Sequence, residues 1–82
     1  MQYVQLIPGI SLIKKETGNF KVIVLTAMSY IYYCKVEDMA KHITNDFKLT
    51  VRFSVISNLT TIELSFSKYN DEKLFLEVFG NK

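Results

Sequence analysis

The chain has 82 residues, ten basic and eight acidic, for a net charge of +2, and 49% of its residues are apolar. A chain of this length buries only about 60–65% of its unfolded surface, which argues against a large enclosed active site, and its mixed composition excludes a disordered or low-complexity protein. So weak a charge bias is by itself no argument for nucleic acid or for a membrane.

In chain order, the first short strand is expected from about Gln2 to Ile7, turning back at Ile7-Pro8-Gly9-Ile10, where Pro and Gly occupy the central positions of a type II turn. Glu16-Thr17-Gly18-Asn19 then separates Ile10–Lys15 from Phe20–Leu25, and both flanks are rich in β-branched or aromatic residues, so a second hairpin is predicted. Tyr30–Cys34 carries Tyr30-Ile31-Tyr32-Tyr33, a strongly β-favouring run, and reads as a further strand. In a competing reading it is the start of a helix, because Leu25, Met28 and Tyr32 continue the apolar stripe that follows.

From Val36 the period becomes helical. Val36, Met39, Ala40, Ile43 and Phe47 share one stripe, with Glu37, Asp38, Lys41 and Asn45 opposite, and Glu37 and Lys41 stand at a favourable i, i+4 spacing. A helix is expected over 36–47.

Leu49 to Ser67 alternates strictly and predicts a β-hairpin joined by Ser57-Asn58-Leu59-Thr60. Leu49, Val51, Phe53, Val55, Ile62, Leu64 and Phe66 lie on the dry face, and Thr50, Arg52, Ser54, Thr61, Glu63 and Ser65 on the wet one. A last helix is expected from an Asn70 cap, with Asp71 and Glu72 in its first turn and Gly80 just past its end. Leu74, Phe75, Val78 and Phe79 make its apolar face, and a strand over Lys73–Phe79 is the alternative.

The expected fold is therefore α+β, an antiparallel sheet of five or six strands with one or two helices, in one domain over residues 1–82. The uncharged stretch Val22–Cys34 has thirteen residues, where a transmembrane helix needs about 20, so no membrane span is expected.

The candidate chemical motifs are thin. Asp38 and His42 are one helical turn apart, a spacing at which a carboxylate can orient an imidazole, yet both lie off the apolar stripe and no nucleophile is near them. Cys34, the only cysteine, cannot form an intramolecular disulfide and reads as a small buried hydrophobe in a reducing cytoplasm. One Cys and one His lack the partners for a zinc site. No enzyme activity, cofactor, metal or small-molecule substrate is inferred.

Two surfaces point to macromolecular partners. Strand Phe20–Leu25 places Phe20, Val22 and Val24 on one face and Ile23 and Leu25 on the other, and the strand read at Tyr30–Cys34 opposes Ile31 and Tyr33 to Tyr32. Strands apolar on both faces need cover on both, either from the C-terminal helix or from another protein. Ile23, Leu25, Ile31 and Tyr33 are therefore the candidate partner-binding residues, for a homodimer or for a larger protein target. Lys14, Lys15, Lys21 and Arg52 are the candidates for the alternative, a dimeric nucleic-acid-binding or regulatory protein.

Nine of the ten basic residues are Lys, and Ile, Asn, Tyr and Phe are plentiful. That usage accompanies AT-rich genomes, so a phage or other mobile-element origin is expected, with an inhibitor or adaptor of a host macromolecule as the role.

Overall fold

The computed structural model describes residues 3–7 and 10–14 as backbone and residues 19–80 in full. Its strands are β1 (Tyr3–Ile7), β2 (Ile10–Lys14), β3 (Phe20–Leu25), β4 (Phe47–Phe53) and β5 (Leu59–Phe66), and its helices are α1 (Ser29–Lys41) and α2 (Tyr69–Phe79), with a 3-10 turn over Thr26–Met28 between β3 and α1.

A three-stranded antiparallel sheet, β3-β5-β4, carries the core. Facing residues of an antiparallel pair share a side, so the register assigns both faces. Phe20, Val22 and Val24 stand opposite Leu64, Ile62 and Thr60, which in turn face Leu49, Val51 and Phe53. Lys21, Ile23 and Leu25 stand opposite Glu63, Thr61 and Leu59 on the other side. Beyond β3 the backbone ladder continues into β2 over two pairs, Ile13 with Lys21 and Lys14 with Phe20, and β2 pairs with β1. The turn read at Pro8 and Gly9, and most of the loop read at Glu16–Asn19, lie outside the described residues.

Both helices pack on the first face. Tyr32, Val36 and Ala40 of α1 and Phe75 of α2 join Phe20, Val22, Val24, Ile62 and Leu64 in one buried cluster. Phe75 stacks within 5.0 Å of Phe20 and 5.2 Å of Phe66, centroid to centroid. Each such side chain removed from water is worth about 1.5–3 kcal/mol, so this single layer between sheet and helices is the main source of stability. The result is a small α+β domain with two helices. Glu37 and Lys41 form the expected i, i+4 ion pair, at 3.7 Å.

Several sequence expectations need correction. Tyr30–Cys34 is not a strand but the first turns of α1, which begins at Ser29; the i, i+4, i+8 series Tyr32, Val36, Ala40 buries on the core, and that burial overrides the β preference of adjacent aromatics. The core is borne by the three strands β3, β5 and β4 of the sheet. The helix read as 36–47 ends at Lys41, because Thr44 Oγ1 accepts the Asp46 N–H at 3.0 Å and turns the chain; Phe47 opens β4 instead and packs against Phe66.

The hairpin also differs at its tip. Leu59 and Thr60 belong to β5, and Val55 sits in the turn, fully exposed, rather than on the dry face. At α2 the N-cap is Lys68, not Asn70, and Leu74 and Val78 face outward while Glu72 and Phe75 are buried. Gly80 ends that helix as expected: its N–H donates to the Leu76 carbonyl at 2.8 Å, and a Cβ there would collide with that same oxygen.

Candidate functional site, an apolar pole

Because both helices cover one face, the other face of β3 stays bare. Ile23 and Leu25 are 54% and 58% exposed. The C-terminal helix, one of the two covers expected for them, lies on the opposite side.

The bare strip runs to one end of the molecule, where β3 turns into α1 and the β4–β5 hairpin has its tip. Thr26 binds these two corners together: its N–H donates to the Asn58 carbonyl at 3.1 Å, and its hydroxyl lies 2.9 Å from that of Thr60. The Ser29 hydroxyl donates back to the Thr26 carbonyl at 2.8 Å. Met28, Tyr30 and Ile31 are exposed at the helix start.

Across from them, the hairpin closes with the Ser54 N–H on the Leu59 carbonyl at 2.9 Å. Ser54 Oγ accepts from the Ser57 hydroxyl at 2.7 Å, and Asn58 takes a left-handed conformation, φ 55°. Asn tolerates that region better than most side chains. The turn lifts Val55 and Ile56 off the body, 98% and 99% exposed, beside Phe53 at 64%.

Two segments distant in sequence thus meet here, Val22–Cys34 and Phe53–Ile62, and neither contains a charged residue. They hold eight of the eleven exposed large apolar side chains among the described residues. Tyr30 stays a neutral phenol well past neutrality: its hydrogen bond with the Cys34 side chain, and then the electrostatic influence of Cys34 and Glu37, hold its pKa above the ordinary tyrosine value.

Of the four partner-binding candidates, Ile23 and Leu25 lie on the bare strip and Ile31 at the start of α1, all exposed, while Tyr33 is half-buried against the core. Phe53, Val55 and Ile56 were not among them. Alternation carried through Phe53 and Val55 reads those two as a dry strand face, and Ser57-Asn58-Leu59-Thr60, read as the joining turn, marks the tip without showing that Val55 and Ile56 project from it.

Among the basic candidates, Lys14 ends β2 and Lys15 lies outside the described residues. Lys21 and Arg52 share the bare face, separated by β5, with Glu63 directly opposite Lys21 and Thr61 opposite Arg52. His42 turns Nδ1 to the backbone carbonyl of Asp38, at 3.1 Å. Among the described residues no three His, Cys, Asp or Glu side chains are grouped to hold a metal, and no helix is long and apolar enough to cross a membrane.

No family model, no curated protein and no solved structure matches this chain.

Proposed function

We propose that this chain is a non-enzymatic protein-interaction module whose binding surface is the apolar pole, with Ile23, Leu25 and Ile31 as exposed contacts and Tyr33 as a half-buried fourth member. The observation that carries this reading is the gathering of exposed apolar side chains at one end, in two segments that contain no charged residue, with Lys21 and Arg52 flanking Ile23 on the bare face. Contiguous apolar patches beyond a few hundred Å² are rare on monomers and mark binding surfaces, and depletion of charge is the signature of an interface centre. The composition supports a phage or mobile-element protein that modulates a host macromolecule in the cytoplasm. The ribbon β1–β2 completes the sheet as five strands in this reading.

Ile23→Lys tests it. The side chain is more than half exposed, so the variant folds, and association with the protein partner, measured by cross-linking in purified form and in extract of the source cell, is lost. A folded Ile23→Lys, or Tyr33→Glu, with undiminished association overturns the proposal.

A second reading, nucleic-acid binding, is favoured by the presence of Lys21 and Arg52 on one face. It predicts binding that weakens steeply as salt rises, whereas an apolar protein interface hardly responds.

A further inference from the structure

We infer that the free edge of β4 is a docking site for an extended segment of another protein, which adds to the sheet as an antiparallel strand and carries acidic side chains four residues apart with apolar ones between them. This edge is divided from the bare strip of β3 by β5, and its occupation does not depend on the reading of the apolar pole.

Hydrogen bonding fixes which backbone groups the edge offers. In an antiparallel pair, bonded and non-bonded positions alternate along each strand. The Ser54 N–H donates to the Leu59 carbonyl at 2.9 Å, immediately beyond the pair of Phe53 with Thr60, so Ser54, Arg52, Thr50 and Lys48 are the positions that bond to β5. The N–H and C=O groups of Phe47, Leu49, Val51 and Phe53 therefore point the other way, to the side on which no strand among the described residues pairs with β4. The run from Phe47 to Phe53 holds no proline and its register no bulge, the two devices that most often blunt an edge, and main-chain bonds to such an edge supply the affinity of an added strand.

The side chains select the occupant. On the core face, Leu49 and Val51 are only half-buried, because the helices centre on β3 and β5 and these two residues lean on the core from its flank. Phe53 beside them is 64% exposed. Apolar residues of an added strand, opposite Leu49 and Val51, extend that cover. On the other face Lys48 and Arg52 are exposed, and across β5 they stand opposite Ser65 and Thr61, not opposite an acid. Glu63 of β5 stands between Thr50 and Lys21. Opposite charges directly across a ladder attract and like charges repel, so carboxylates set against Lys48 and Arg52 complete the match. The recognised pattern is acid, apolar, any residue, apolar, acid.

The probe is a capped peptide, Ser-Thr-Glu-Val-Thr-Val-Glu-Thr-Ser, titrated into the isotope-labelled full chain and followed by nuclear magnetic resonance. The expected result is a saturable set of shift changes over Phe47–Phe53, led by the outward amides of Phe47, Leu49, Val51 and Phe53. Methylating both Val amides of the peptide, or replacing both its Glu by Lys, weakens binding to the wild type about tenfold or more, and neither control depends on a variant that must fold. The double variant Lys48→Glu, Arg52→Glu alters two exposed positions, retains the fold by circular dichroism, and reverses the preference in favour of the lysine peptide. Absence of shift changes in β4 at millimolar peptide overturns the proposal. So does undiminished binding of the methylated peptide, because the edge amides are then not used, and so does equal affinity for the acidic and the lysine peptides. A short single-stranded DNA that perturbs Lys48 and Arg52 where the peptide perturbs nothing overturns it in favour of nucleic acid. Ile23→Lys, the test of the pole, leaves peptide binding in place, so either surface can fail without the other.

Discussion

The hydroxyls of Thr26 and Thr60 share a hydrogen bond of 2.9 Å although the two residues live in different surroundings, Thr60 fully buried in β5 and Thr26 half-buried at the corner leading to α1. The pair fastens the helix start to the hairpin, and with it both halves of the apolar pole.

The asymmetry makes a prediction. Thr26→Val strands the buried Thr60 hydroxyl without a partner and costs about 1–3 kcal/mol, whereas Thr60→Val leaves Thr26 able to turn to water and costs roughly 0.5–1.5 kcal/mol. The double variant costs less than the sum, because the stranded group is gone. Urea denaturation of the four proteins measures this cycle, and a double-variant cost equal to the sum of the two single costs would show that the hydroxyls do not depend on each other.

Asn58 sets the shape of the tip. Its φ of 55° is unfavourable for a β-branched side chain, so Asn58→Val destabilises by about 1–3 kcal/mol, while Asn58→Gly stays close to wild type. Thermal melts of the two variants provide the comparison. Were Val tolerated as well as Gly, the left-handed turn that projects Val55 and Ile56 would not be what the solution structure contains.

Tyr30 gives a prediction in pH. Its pKa lies above the usual value because of the hydrogen bond with Cys34, with the charges of Cys34 and Glu37 adding to it. An acid whose folded pKa is raised favours its protonated form in the native state. Its contribution to stability is therefore complete below the unfolded value, about 10, and is lost as pH rises through the folded value. Cys34→Ala lowers the Tyr30 pKa toward the ordinary value. Tyrosinate absorbance, with Tyr30→Phe to assign the transition, follows the change, and an unmoved titration in Cys34→Ala would count against the contact.

What could be read in the sequence was what local periodicity controls. The alternation in β3 separates Ile23 and Leu25 from Phe20, Val22 and Val24, and the same period in β4 and β5 gives the correct core face from Leu49 to Val51 and from Ile62 to Phe66. At Tyr30–Cys34 local preference and tertiary packing disagree. Four bulky residues in a row favour extended backbone, and only the later members of the stripe, Val36 and Ala40, together with the sheet they press on, make a helix the better way to bury Tyr32. Ile31 was thus assigned an exposed role on the wrong element. The tip was legible in part: Ser57-Asn58-Leu59-Thr60 reads as the joining turn and contains the left-handed Asn58, but a period of two runs on through Val55, so the pattern does not show that the ladder stops at Phe53 and resumes at Leu59.

The place of β4 at the end of the strand order has a consequence for how copies of this protein avoid one another. With β5 as its only strand neighbour among the described residues, β4 leaves a row of outward amides and carbonyls open to any other extended chain, the usual route to fibrous stacking. Lys48 and Arg52 flank Thr50 at equal distances on the bare face, so two such edges meeting head to tail about Thr50 would bring Lys48 of each against Arg52 of the other. Two cationic clashes per encounter keep this margin solitary in its most symmetrical alignment.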